Sequence, residues 1–447
     1  MNLKIRKELL ETEKISYASE HIDLPEGGID CGEGCTPYGF PPEMMKAVEN
    51  FDMNRLGPYP HSTAIFDGLC EYWKGQFFLE PENLMITDGS IGAIYVICNI
   101  FNRPGAKVVG IAPQFTDFEM TVRMLGMDYQ PVRLRKENGF LIDPDEIIEA
   151  IDEETSLVYI DNPNNPTGQI IDSYAIKLIL EKAERCGAAV IVDEAYGDFM
   201  PNQNSAAKFL EKYECMIMMR TLSKAFGLAG LRIGYIIAHK PLIALMKKVA
   251  NPYQVSEFAR ELGGEALKNS YHIWEHVIDF AKMKREIKST IGNRLHLAYT
   301  YDTTSIFLVW HEDPEVDLRK ELYDCGVLCV SGSDFNGLGK NYVRIRLPRI
   351  DEFPVLYKAL TFSLAWTVIL AAIGFAALHL NRRSAALSWL NARIFPLYIV
   401  HQTFVVMGLY YVLPLDLSLW SKLGLVVAIT AGWSLLAAML ADLWPAP

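Results

Sequence analysis

Between residues 84 and 238 the chain alternates short, almost wholly apolar runs with longer stretches of helical period. The runs are LMIT from 84, KVVGIA from 107, SLVYID from 156, AAVIVD from 188, CMIMM from 215 and IGYIIA from 233. Runs this short, rich in Val and Ile and without a polar face, read as strands buried on both sides. Strands of that kind belong to a mostly parallel sheet sandwiched by helices. The intervening stretches are long enough for crossover helices. In DSYAIKLILEKAERCG, residues 172–187, Asp172 can cap the first turn and Gly187 can end the last. Ligands of open α/β sheets sit at the carboxyl ends of the strands, so the segments that follow the apolar runs are where chemistry is expected. Residues 255–292 predict one or two long helices. After them LHLAYTY, TSIFLVWH, GVLCVSG and NYVRIRL read as shorter strands with Gly-rich turns, a second and smaller α+β lobe.

The pattern changes after residue 361. The windows 363–380, 394–413 and 423–441 are nearly uncharged and show no polar face. Each is about as long as the 18–20 apolar residues that cross a bilayer core as helix. The expected organisation is therefore an N-terminal arm (1–40) joining the small domain, a large domain (41–252), a small α+β domain (253–361) and a transmembrane all-α tail (362–447).

Charge sharpens this division. Lys and Arg number 42 against 54 Asp and Glu, a net charge of −12. Arg382, Arg383, Arg393 and Lys422 outnumber Asp416 and Asp442 in the tail, so the whole acidic excess lies before it. Such a surface excludes nucleic acid as a partner bound through its phosphates. At 50% hydrophobic and 21% charged residues the chain is also too apolar to be disordered. All eight cysteines precede the tail, and the N-terminus has no apolar run of signal-peptide length, which predicts reduced thiols and a cytoplasmic catalytic part. The C-x3-C pairs Cys31/Cys35 and Cys325/Cys329 have no His pair nearby, and no metal is expected. Topology raises a conflict. The arginines of 381–393 put that loop in the cytoplasm, and a first spanning helix would then leave residue 362 and everything before it outside; either the first window does not span, or the tail is a fusion whose topology was set in another protein, the reading favoured by the abrupt change of composition at residues 360–363.

Three segments carry the candidate chemistry. Asn162-Pro163-Asn164-Asn165-Pro166-Thr167-Gly168 closes the run SLVYID with a turn at a strand's carboxyl end. In AVIVD-Glu194-Ala195-Tyr196, Asp193 ends another buried strand, where a carboxylate is costly without a cationic partner. In Arg220-Thr221-Leu222-Ser223-Lys224-Ala225-Phe226-Gly227, continuing to Arg232, a lysine lies among apolar and small residues, as a Schiff-base lysine with a lowered pKa requires.

NPNNPTG, VDEAY and RTLSKAFGLAGLRIGY, in this order and spacing, resemble the class I/II aminotransferases of the fold-type I pyridoxal-phosphate superfamily, most closely the histidinol-phosphate aminotransferase branch. The resemblance covers roughly residues 20–360. It implies an enzyme of amino-acid biosynthesis that moves an amino group between an amino acid or amino phosphate ester and a 2-oxo acid, with glutamate or 2-oxoglutarate as one partner. Under it Lys224 forms the internal aldimine with pyridoxal 5'-phosphate and moves the Cα proton, and Asp193 keeps the ring nitrogen protonated. Asn165 and Tyr196 bond the ring's 3' oxygen, and Ser223 and Arg232 hold the phosphate. Gly89, Ser90 and Ile91, at the start of a helix, match the family's phosphate cup, and Phe115 matches the aromatic stacked on the ring. Tyr59 matches a tyrosine that reaches the phosphate of a neighbouring subunit, which implies a homodimer. Arg344 matches the arginine for the substrate carboxylate. Arg346, two positions along the same strand, shares its face and becomes a candidate for a second anion, the alternative being a surface arginine. The family's N-terminal Asn-Pro-x-Gly stands here as Thr36-Pro37-Tyr38-Gly39, a departure that leaves that segment without an assigned substrate contact.

Two alternatives share these residues: a decarboxylase of the threonine-phosphate decarboxylase type, and a membrane-anchored protein that binds the cofactor without turnover. The tail, around Asn391 to Thr403, resembles the last three helices of the acyltransferase-3 membrane family. That family's catalytic helices are absent here, so acyl transfer is not expected and His401 reads as a packing residue.

Overall fold

The computed structural model describes residues 3–13, 15, 22–24, 26–41, 43–291, 294–361, 404–407, 411, 412, 415 and 419–441. The chain divides into two compact units, residues 1–365 and 366–447.

In chain order the strands of the first unit are β1 (Ile29–Asp30), β2 (Leu84–Thr87), β3 (Lys107–Ala112), β4 (Asp128–Arg133), β5 (Thr155–Asp161), β6 (Ala189–Asp193), β7 (Met216–Thr221), β8 (Gly234–Ala238), β9 (Leu295–Leu297), β10 (Ile306–His311), β11 (Val327–Leu328), β12 (Val330–Ser331) and β13 (Tyr342–Arg346). Seven of them form the main sheet in the order β2-β8-β7-β6-β5-β3-β4. All six apolar runs are strands of this sheet. The sheet is mixed: β8 runs antiparallel to both β7 and β2, and the remaining pairs are parallel.

The runs are continuously apolar because each face of the sheet has its own core. Val158, Ile160, Val190, Val192, Met216 and Met218 pack into one cluster, while Leu157, Tyr159, Ile191, Ile217 and Met219 pack into the other. Successive side chains on a strand point to opposite faces, and with helices on both sides every position is buried. The helix Ser173–Cys186 begins and ends as expected. The Asp172 side chain accepts the amides of Tyr174 and Ala175, and Gly187 adopts φ 73°.

After the helices Glu257–Lys268 and His272–Thr290, a four-stranded antiparallel sheet forms in the order β12-β13-β10-β9. The N-terminal segment joins this region, with β1 parallel to β11.

In the second unit, the helix Leu419–Ala441 covers the third apolar window. Among the described residues no helix is long and apolar enough to cross a membrane, so the expected membrane spans are without structural support. The window 363–380 and most of 394–413 lie outside the described residues, as does His401. Within Leu419–Ala441, side chains are described only between 421 and 433.

Candidate active site

Strands β5, β6 and β7 are adjacent and parallel, so their carboxyl ends deliver three loops to one place. Asp161 pairs in register with Asp193, and Asp193 with Met219. The loops enclose a cavity of about 170 Å3 lined by Asp161, Asn165, Asp193, Tyr196, Ser223 and Lys224, together with Ser90, Ile91, Phe115 and Arg232 from elsewhere in the chain.

At one end the helix Gly89–Phe101 opens with Gly89 at φ 85°. A side chain at Gly89 would come within 2.6 Å of the Arg232 guanidinium, so only glycine lets the arginine lie against this helix start. Free amides at a helix N-terminus beside a guanidinium favour a phosphate.

At the centre, the Lys224 Nζ lies 5.5 Å from the centroid of the Tyr196 ring. Tyr196 is 2% exposed, and its hydroxyl has no hydrogen-bond partner among the described residues. Gly34 crosses directly over this hydroxyl, leaving no room for a side chain. A buried hydroxyl without a partner costs about 1–3 kcal/mol, and a ligand oxygen in the cavity would relieve that cost.

Asp193 lines the same cavity. Its carboxylate accepts the Tyr159 hydroxyl at 2.6 Å and the Ala195 amide at 2.9 Å. Burial pushes its pKa up to about 6, against the pull of these donors and of Lys224. Asp161 is also buried and is pushed to about 7, chiefly by desolvation, although it accepts the amides of Asn165 at 2.9 Å and Phe115 at 3.2 Å. Beyond β6, Glu194 meets Arg220 at 2.8 Å, and Arg220 also bonds Asp198 at 2.9 Å and the Tyr72 hydroxyl at 3.0 Å. Glu194, Arg220 and Asp198 of this network are buried, and it pins the turn that carries Asp193 and Tyr196.

The structure thus brings together Lys224, Asp193, Tyr196, Asn165, Ser223, Arg232, Ser90, Ile91 and Phe115, with Gly89 behind Arg232. Arg344 stands one layer back. It is fully buried and donates to Asn165 Oδ1 at 3.2 Å and to the Gly32 carbonyl. Arg346 points the same way but is engaged elsewhere. Its guanidinium donates to the carbonyls of Glu33 at 3.0 Å, Leu347 at 2.9 Å and Asp30. At 5% exposure it is not a surface arginine either; it ties β13 to the N-terminal segment. Tyr59 is away from the cavity, 71% exposed and stacked on Tyr253 at 4.7 Å. Sequence reasoning passed over Tyr159, Gly34 and the Arg220 network. Tyr159 was within reach, because it precedes Asp161 by two on a buried strand, where a tyrosine needs a partner for its hydroxyl.

Residues 28–355 match the model of the family described as aminotransferase class I and II. The chain belongs to that family. This aminotransferase is similar to the histidinol-phosphate aminotransferase of Thermoanaerobacter pseudethanolicus, 31% identical over 306 residues that make up 68% of this chain and 84% of the relative. It is also similar to that of Caldanaerobacter subterraneus subsp. tengcongensis, 28% identical over 327 residues, 73% of this chain and 90% of the relative. Among solved structures, the histidinol-phosphate aminotransferase from Clostridium acetobutylicum superposes with a TM-score of 0.67 at 23% identity, over 75% of this chain and 98% of that one. An aspartate aminotransferase variant from Thermus thermophilus gives 0.67 at 20%, over 80% and 97%. The family match ends at residue 355 and leaves the tail outside it.

Pyridoxal 5'-phosphate is the cofactor of this aminotransferase, and the cavity fits it. The cavity offers an anion seat at Gly89 and Arg232, the Tyr196 hydroxyl, which has no hydrogen-bond partner among the described residues, the buried Asp193 carboxylate and the Lys224 amine. Once bound, the cofactor supplies the electron sink that stabilises a carbanion at the substrate's Cα.

Proposed function

We propose that this aminotransferase moves the amino group of an amino acid, or of an amino phosphate ester, to a 2-oxo acid such as 2-oxoglutarate. The observation that carries this reading is the cavity lined together by the Lys224 amine, the Tyr196 ring and hydroxyl beside it, and the buried Asp193 carboxylate. Lys224 would hold the cofactor through its amine and would serve as the general base that moves the substrate's Cα proton. Asp193 pairs with the protonated ring nitrogen. Tyr196 and Asn165 would hydrogen-bond the cofactor ring, and Phe115 would pack against it. Ser223, Arg232 and the start of the helix at Gly89, Ser90 and Ile91 hold the phosphate. Arg344, through Asn165, receives the substrate carboxylate. The likeness to histidinol-phosphate aminotransferases supports a phosphorylated amine as one substrate and a place in amino-acid biosynthesis.

The test is a half-reaction. Purified protein is mixed with a panel of amino acids and phosphorylated amines, and the visible band, the oxo product and carbon dioxide are followed. Loss of the band with oxo product and no carbon dioxide supports transamination. Carbon dioxide release would make the protein a decarboxylase.

Two further parts of the reading rest on sequence. Exposed Tyr59 serves the site of a second copy, so mixing a Tyr59→Phe protein with a Lys224→Ala protein should give dimers with one intact site and one doubly impaired. The tail is a membrane anchor by its three apolar windows, and recovery of the full chain in the soluble fraction without detergent would overturn this.

A further inference from the structure

Lys284 lies on the helix His272–Thr290, outside the cavity, and is 1% exposed. Its Nζ donates to Thr304 Oγ1 and the Tyr301 carbonyl at 2.7 Å each, to Thr300 Oγ1 at 2.9 Å and to the Ile306 carbonyl at 3.0 Å. Every one of these oxygens is neutral. Burial pulls the pKa of this ammonium well below its ordinary value, and Lys288 nearby adds to the effect while Asp302 opposes it. Taking an ammonium out of water costs several kcal/mol, and an apolar side chain would fill the space more cheaply. The position therefore calls for an explanation beyond packing.

The oxygens around Lys284 are also the seat of Gly168, the last residue of the Asn-Pro loop. Gly168 sits at φ 73°, and a side chain there would run into Ile306 O, Thr304 Oγ1 and Thr300 Oγ1, three of the four atoms that hold the ammonium. Thr304 Oγ1 donates to the Gly168 carbonyl at 2.8 Å, and the Tyr301 amide reaches the same carbonyl at 3.1 Å. From Gly168 the links run inward. The Gly168 amide donates to the Asn164 carbonyl at 2.7 Å. Asn164 Nδ2 and the Asn165 amide each hold the Asp161 carboxylate at 2.9 Å, and Asn165 Oδ1 accepts Arg344 at 3.2 Å.

We infer that Lys284 is a positioning residue: through Thr300, Thr304 and Gly168 it sets the placement of residues 162–168, and with it the aim of Asn165 and Arg344 at the substrate. A buried ammonium suits this task because its three N–H donors, shared among four oxygens, gather the 300–304 turn and β10 at once. An apolar residue would take the ammonium's donors from all four oxygens and leave the Tyr301 carbonyl to the Thr304 hydroxyl at 2.9 Å, in competition with the Gly168 carbonyl.

The kinetic consequence rests on the aminotransferase reading, so the deciding measurement is made without turnover. Hydrogen–deuterium exchange of the cofactor-free full-length protein is compared for wild type, Lys284→Met and Thr304→Val. The second variant cuts the bond to Gly168 while leaving the ammonium its other three oxygens, and it decides the matter should Lys284→Met fail to fold. Both variants are expected to speed exchange at Asn165, Thr167 and Gly168 by roughly ten-fold or more, with β6 amides unchanged. In the loaded enzyme KM for amino acids should rise more than kcat falls, with kcat/KM down by up to about a hundred-fold, as a misplacement near 1 Å can cause. A purely structural role would lower Tm but leave loop exchange and KM at wild-type values in the folded variants, and that result would overturn the inference. Absence of turnover in wild type would sink the aminotransferase reading and leave the exchange result standing.

Discussion

Replacing Asp193 by asparagine should stabilise the cofactor-free protein and weaken its grip on the cofactor, and the opposite signs make the reasoning testable. The carboxylate is 3% exposed and receives two hydrogen bonds, yet burial raises its pKa from 3.8 to about 6. A folded-state pKa above the unfolded value means that the ionised group destabilises the folded chain, in full above about pH 6 and not at all well below 3.8. That interval is worth ~3 kcal/mol. Asparagine is neutral at every pH and nearly isosteric, so it escapes this cost. It offers one acceptor oxygen to two donors, which gives back about 1 kcal/mol. The net gain above pH 7 is then ~2 kcal/mol, and between pH 6 and 4 it shrinks by about 1.4 kcal/mol per pH unit. Asp161 adds to the gain, since Asp193 is among the groups that raise its pKa.

Thermal unfolding of the cofactor-free proteins, followed by circular dichroism near pH 5 and near pH 7.5, reads both sign and trend. The asparagine variant should melt above wild type at the higher pH and approach it at the lower. With cofactor bound the order should reverse, because the ring's charge loses its counter-ion, at a cost of about 2–5 kcal/mol for a broken buried pair. A variant that melts below wild type without cofactor near pH 7.5 would show that the carboxylate is not held there against its own burial.

Lys224→Ala should keep the cofactor without a covalent link and lose turnover by several orders of magnitude, since nothing else in the cavity moves the Cα proton; borohydride should fix the cofactor of wild type to a peptide containing Lys224, and a label on another lysine would refute the assignment. Tyr196→Phe should raise the Tm of the cofactor-free protein, because it removes a buried hydroxyl without a partner, a gain of about 1–3 kcal/mol, and a lowered Tm would argue that the hydroxyl is already satisfied. Arg344→Ala should cost ~2–4 kcal/mol in kcat/KM for every substrate with a carboxylate, as read from steady-state kinetics. Arg346→Ala should lower Tm and depress activity equally for substrates with and without a second anion, since its donors serve backbone carbonyls; a selective loss for phosphorylated substrates would return it to the substrate.

The strands that continuous apolar runs announce are the ones buried on both faces, and the one strand of the main sheet that they miss shows why. β4 lies at the sheet edge, carries Pro131 and is only partly buried. Proline is tolerated there because an edge strand leaves amides unpaired, but the same features erase the apolar run. The direction of β8 was hidden differently. IGYIIA reads like any buried strand, and its antiparallel course follows from the connection. Residues 222–233 are taken up by the loop that carries Ser223, Lys224 and Arg232, with only a short 3-10 turn at Ala229–Leu231, so no crossover helix returns the chain for a parallel entry.

The site was legible for a related reason. In a parallel sheet the carboxyl ends of neighbouring strands must converge, so three motifs that each follow an apolar run predict one cavity, and the pairing of Asp161, Asp193 and Met219 across three strands brings it about. Period-two spacing, however, tells only which side of a strand a residue faces and nothing of what waits there. Arg344 and Arg346 share a face, yet one donates to Asn165 at the site and the other to backbone carbonyls of the N-terminal segment. The difference arises because residues 30–33, distant in sequence, cross beside β13. The Arg346 amide itself bonds the Cys31 carbonyl at 2.8 Å, so the segment lies along this strand end and takes up the guanidinium before a substrate can.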